Sequence, residues 1–174
     1  MVVGRVTGLL VVAAAILSGL PTALAAKDAP TSASGLPIPR YVSLKSDHVN
    51  VRAGPTKDND VAWVYTRSGL PVEITAEFEN WRRVRDSEGA EGWVYHSLLS
   101  GRRTAVVTMK NKDELAPIYD RADPKSAVAA RLQVGVVAQI KQCASGWCRI
   151  TGNGFDGWIQ QERLWGVYAD EKVN

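Results

Sequence analysis

The chain has 174 residues, 45% of them hydrophobic and 22% charged, with a formal net charge of +3. That composition belongs to a globular protein and not to a disordered one. An excess of 21 basic over 18 acidic residues is too small for a general nucleic-acid binder. In chain order, Arg5 precedes an apolar run from Val6 to Leu20, then Pro21 and small residues at Ala23 and Ala25. The pattern predicts a secretory signal peptide over residues 1–25, cut after Ala25. An uncleaved membrane anchor is the alternative, weakened by Gly8, Ser18, Gly19 and Pro21. A lipid-bearing cysteine would have to follow the apolar run, and the only cysteines are Cys143 and Cys148. The expected destination is therefore exported, periplasmic or secreted, with no membrane insertion after signal cleavage.

Residues 26–40 carry three prolines in "KDAPTSASGLPIPR" and read as an extended leader. A first unit follows over residues 41–103. It is neutral, with nine basic and nine acidic residues, so "WRRVR" and "GRR" are local patches on a mixed surface. In "VEITAEF" the alternation predicts a strand with Val72, Ile74, Ala76 and Phe78 on one face and Glu73, Thr75 and Glu77 on the other. "WRRVRD" and "EGWVY" flank the turn "SEGA" as a hairpin, in which glycine supplies the left-handed backbone. Helix is limited to short turns such as "HSLL" and "QERL".

Displacing the chain against itself by 66 residues lays Gly69 on Gly135, Ile74 on Ile140, Trp81 on Trp147 and Val84 on Ile150. After a one-residue deletion, Gly92-Trp93-Val94 falls on Gly157-Trp158-Ile159, and Leu99 on Leu164. The chain is a duplication, with a divergent second unit over residues 104–168 and a tail over 169–174. Units of about 60 residues sit near the lower limit for a self-sufficient core, so each is expected to lean on the other. Short strands at this density predict an all-β fold of two small tandem barrels.

"VNVRAGP" at 49–55, the glycine before "LPVEIT", "NWRRVR" and "EGWVYHSLL" together resemble the bacterial SH3-like domain. Unit two keeps the later motifs in "VGVVAQI", "GWCRI" and "DGWIQQERL", with "LAPIYDRAD" in place of the first. The resemblance runs over residues 36–168 and is similar to secreted two-domain proteins of that kind. It implies small barrels without catalytic residues, exported to the envelope, where such domains often bind cell-wall peptides. Transfer of that ligand is an analogy from fold.

No catalytic constellation emerges. His48 and His96 lie in separate motifs without a third metal ligand, and Glu88 and Glu91 fall in a turn. Neither metal nor cofactor is expected. Cys143 and Cys148, separated by "ASGW", read as a disulfide stapling a hairpin, with a redox-active pair as the alternative. Strand parity puts Cys148 with inward Ile150 but Cys143 opposite inward Ile140, so a bulge or a loop distortion must bring the two together. Trp93 and Trp158 are expected in the core, Trp81 and Trp147 half exposed at strand starts. Asn50 and Arg52, with Trp63, Tyr65, Trp81 and Tyr95, form the candidate ligand-binding set, whereas the alternative for Asn50 is that it only shapes its loop. The partner is expected to be a cell-wall peptide such as a peptidoglycan stem peptide. The other reading is an envelope protein, for which the chain would act as an adaptor or assembly factor.

Overall fold

A computed structural model describes residues 32–111 and 113–174. The predicted signal peptide and the start of the leader lie outside the described residues. Unit one forms a seven-stranded antiparallel sheet from β1 (Arg40–Leu44), β2 (Val49–Arg52), β3 (Val61–Tyr65), β4 (Pro71–Phe78), β5 (Trp81–Arg85), β6 (Glu91–Tyr95) and β7 (Leu99–Ser100), in the order β3-β2-β6-β5-β4-β1-β7. Unit two has β8 (Thr104–Val107), β9 (Ala116–Tyr119), β10 (Val128–Leu132), β11 (Val137–Ala144), β12 (Trp147–Gly152), β13 (Phe155–Gln160) and β14 (Leu164–Trp165), in the order β10-β9-β13-β12-β11-β8-β14. The two orders are identical once each strand number is advanced by seven. Among the described residues helix is confined to single 3₁₀ turns at His96–Leu98 and Gln161–Arg163. None of the described helices is long and apolar enough to cross a membrane.

Each sheet wraps a core of small β-branched residues. Val49, Val51, Val72, Ile74, Val84 and Val94 close the first; Ile118, Ile140, Ile150, Ile159 and the two cysteines close the second. Alternation delivers these side chains to one face, as the period of two requires. In β4 the alternation breaks. The β4–β5 register shifts between Ile74 and Ala76, leaving Thr75 as the extra residue of a bulge. Beyond it the faces exchange, so Phe78 is 48% exposed and the expected Val72–Phe78 face ends at Ile74. In β11 the register shifts at the matching place, between Ile140 and Gln142.

The units are docked against each other. Tyr41 of β1 packs edge-on to Trp165 at 5.3 Å between ring centroids and tilted against Tyr168 at 4.7 Å. Beside them Glu73, only 4% exposed, accepts hydrogen bonds from Tyr168 Oη at 2.8 Å and from Arg85 Nε and Nη2 at 3.0 and 2.6 Å. Burial, then the Glu73 charge, pushes the Tyr41 hydroxyl up to about 12; burial and the bond to Glu73 raise that of Tyr168 as well. A second polar seam joins the Ser43 and Thr104 hydroxyls, 2.6 Å apart, with Thr104 also donating to the Gly69 carbonyl. Gly166 is required where the chain leaves β14: its φ is +121°, and a Cβ there would lie 2.4 Å from the Thr104 carbonyl oxygen.

Candidate functional site

The outward face of unit one is built by β2, β6 and β5. Because Val51, Gly92 and Val84 point inward, their neighbours Arg52, Trp93 and Arg83 point outward. They stand in one cross-strand row, with Arg52 paired to Trp93 and Trp93 to Arg83. Gly92 has no room for a side chain, since a Cβ would meet Val51 Cγ1 at 2.4 Å. One row along, Trp81 pairs with Tyr95, their rings edge to face at 5.4 Å, and His96 continues the aromatic strip. Trp81 is 8% exposed and Trp93 half-buried. This reverses the expectation for the two tryptophans, because inward Gly92 and Val94 send Trp93 outward.

The six predicted ligand-binding residues divide into groups. Asn50 and Arg52 lie on the outward face of β2, and Arg52 Nη1 donates to the Asn59 carbonyl at 2.6 Å, which holds the loop between β2 and β3 closed. Trp81 and Tyr95 share that outward side across β5 and β6. Trp63 and Tyr65 pair in register with Val51 and Val49 and pack on the core from the edge strand. Their rings meet edge to face at 6.1 Å, and Tyr65 Oη donates to Asp86 Oδ2 at 3.0 Å. Burial first, and then Asp86, raise the Tyr65 hydroxyl well above its ordinary value.

Unit two presents the same face with different chemistry. Trp158 stands between Arg149 and Tyr119, and Trp147 packs edge-on to Tyr119 at 5.7 Å. The Arg83–Glu91 ion pair at 2.7 Å recurs as Arg149–Asp156 at 2.8 Å. Arg52, Trp63, Tyr65 and Tyr95 have no counterpart of their own kind, since Tyr119, Ala130, Leu132 and Gln160 hold those positions. Residues confined to one copy are not demanded by the barrel.

The cysteines form the disulfide, fully buried and directly opposite in register. The bulge at Lys141 supplies the parity change that their pairing needs. The Cys143 backbone turns away from β12 and exchanges both hydrogen bonds with Val173, so the tail is tied to the sheet. In unit one the equivalent cross-strand pair is Glu77 and Arg82, joined by an ion pair of 3.1 Å and reinforced by Arg40 and Ser34. Burial alone would raise the Glu77 carboxyl; the hydrogen bonds from Arg40 and Ser34 outweigh it and hold it at about 2. The described part of the leader thus sits at this corner, where Ser34 and Leu36 line a small cavity with Arg82 and His96. Among the described residues no group of three metal-ligating side chains converges.

Residues 45–101 and 112–166 each match the profile described as Bacterial SH3 domain. The chain belongs to the bacterial SH3 domain family. Among solved structures it is similar to NlpC2 from Trichomonas vaginalis, at 16% identity with a TM-score of 0.31, covering 73% of this chain and 48% of that one. NlpC1 from the same organism gives 17% and 0.30, covering 72% and 45%. An NlpC/P60 family protein from Bacillus cereus gives 12% and 0.29, covering 72% and 55%. The chain thus spans about half the length of each. No curated protein sequence matches it.

Sequence reasoning missed Trp93 and Arg83 as outward partners of Arg52. The signal was present: in "EGWVY", a glycine and a valine two apart define the inward set and expel the tryptophan between them.

Proposed function

We propose that this bacterial SH3 pair is a non-catalytic binding module of the cell envelope, and that unit one recognises an extended peptide such as the stem peptide of peptidoglycan. The observation that carries the reading is the row Arg52–Trp93–Arg83 beside the Trp81–Tyr95 pair. An aromatic floor gives contact area to aliphatic peptide groups, and flanking guanidinium groups suit carboxylates through paired N–H donors. Export to the periplasm or beyond is part of the same proposal and is supported by the disulfide. Co-sedimentation of the exported protein with purified sacculi tests it. Saturable binding that Arg52→Ala and Tyr95→Ala each weaken at least fivefold, with folding retained, is the expected result; a folded wild type that stays in the supernatant sinks it.

A second reading, a protein adaptor in the envelope, is favoured by the edge of β3. That strand has one neighbour, and Val61 on it is 42% exposed, so an extended segment of a partner protein has an edge to pair with. A protein partner captured without any sacculus binding would select this reading.

A further inference from the structure

A cleft of about 680 Å³ opens between the two units, on a different part of the molecule from the Arg52–Trp93 row. Unit one contributes the end of β1, the turn before β4, Ser100 at the end of β7 and Arg102 in the link beyond it; unit two contributes Thr104, the start of β11 and the β12–β13 turn. Its floor is polar and fixed: Ser43 and Thr104, 1% and 5% exposed, are locked together and to the Gly69 carbonyl. Its rim carries Lys45, Arg67 and Arg102, all exposed, and no aspartate or glutamate lines it. None of the three cations lies within ion-pair distance of a carboxylate among the described residues. They are held instead by neutral oxygens. Lys45 Nζ donates to the Ser97 carbonyl at 3.2 Å, Arg67 Nη1 to the Gly135 carbonyl at 2.9 Å and Arg102 Nη2 to Gln139 Oε1 at 3.3 Å.

The duplication provides an internal control. The bond from Lys45 N–H to the Leu98 carbonyl repeats as Thr108 to Arg163, and Gly69 to Leu44 repeats as Gly135 to Val107. By that correspondence Thr108 stands where Lys45 does, Gln133 where Arg67 does and Val167 where Arg102 does. The barrel is closed in unit two by neutral residues at all three places. The three positive charges are therefore not demanded by the barrel.

We infer that this cleft is a second binding site, for an oxyanion carried on a hydroxyl-rich chain, that is, a phosphorylated or carboxylated glycan. Three uncompensated cations converging on one opening raise the local concentration of an anion, and guanidinium groups pair with phosphate or carboxylate oxygens. The lining side chains of Ser68, Ser100, Gln139, Thr151 and Asn153 supply the neutral donors and acceptors that sugar hydroxyls need. The site is independent of the peptide reading for unit one, because Arg52 takes no part in it.

Calorimetric titration of the exported protein with tetragalacturonate, glucose 1-phosphate and neutral maltotetraose tests the inference. At least one of the two anions is expected to bind saturably and at least tenfold more tightly than maltotetraose. The carboxylate and phosphate arms then identify which oxyanion is preferred. Arg67→Gln and Arg102→Gln are each expected to weaken binding tenfold or more, and Lys125→Gln, at an exposed cation outside the cleft, to leave it unchanged. Asn153→Asp adds a negative charge to the cleft without removing any bond that the cations make, and is expected to weaken binding as strongly. Equal affinity for neutral and anionic probes, or no binding of either anion by the folded protein, overturns the inference. So does loss in the arginine variants with full binding by Asn153→Asp, which would mean only that the interface had loosened.

Discussion

Glu73 ties the two units together, and its removal measures how firmly. The carboxylate is buried and holds Tyr168 of the far unit and Arg85 of its own. A hydrogen bond from a partly buried hydroxyl to a charged group is worth about 1.5–3 kcal/mol. The Arg85 side chain is 41% exposed, so its share is reduced to about 0.5–1 kcal/mol. Glu73→Ala should therefore lower stability by about 2–4 kcal/mol, and Tyr168→Phe, which leaves Arg85 in place, by about 1.5–3 kcal/mol. At roughly 2–4 °C per kcal/mol for a chain of this size, the first variant should melt roughly 4–16 °C below wild type. Urea unfolding followed by tryptophan fluorescence, run as a double-mutant cycle, isolates the contact between units. A coupling energy of about 1 kcal/mol or more is expected. Additivity within about 0.3 kcal/mol would refute the argument, because it would mean that the Tyr168–Glu73 bond contributes nothing to holding the units together.

Adding a methyl group at Gly92, where it would press on Val51 and Trp63, should cost about 1–3 kcal/mol; Gly157→Ala, whose nearest neighbour is the Tyr119 carbonyl at 3.0 Å, should cost less, and thermal melting ranks the two. Replacing Cys143 and Cys148 together by alanine reopens a short loop worth roughly 2 kcal/mol in chain entropy. Denaturation midpoints should fall accordingly and become insensitive to reductant. Tyr41 titrates at about 12 in the folded protein against about 10 when unfolded, so its contribution is complete below pH ~10 and is lost as pH rises through ~12. Tyr65 and Tyr168 shift in the same direction. Stability against pH should therefore fall steeply above pH ~10, and Tyr41→Phe should flatten that fall.

The duplication was legible because glycines and tryptophans at fixed spacing are forced by turns and by packing, and both copies obey the same geometry. The need for a bulge near the cysteines was legible too, from the conflict between the parities of Ile140 and Cys143. The matching bulge at Thr75 was not, since nothing in "VEITAEF" conflicts until Phe78 is found outside. The role of Glu73 was hidden for a different reason. Alternation assigns it to the outward side of its strand, which is correct for unit one alone, but that side is where the second unit lands. Trp81 and Trp93 were exchanged because a strand-end tryptophan reads as half exposed until its cross-strand neighbour, Tyr95, is known to cover it. Inter-unit docking lies beyond strand periodicity, and so did the cleft.

At the corner where Cys143 faces Cys148, unit one places Glu77 against Arg82. A residue-by-residue comparison of the two halves scores two mismatches there, one acidic for thiol and one basic for thiol. Yet both copies preserve a cross-strand tie at the same rung, and each adds a segment from outside the barrel, the leader in one and the tail in the other. What the two copies share at this rung is a relation between two positions and not the identity of either. Percent identity between the halves therefore understates their kinship, and a comparison by paired positions would find copies of this unit that a comparison by single letters passes over.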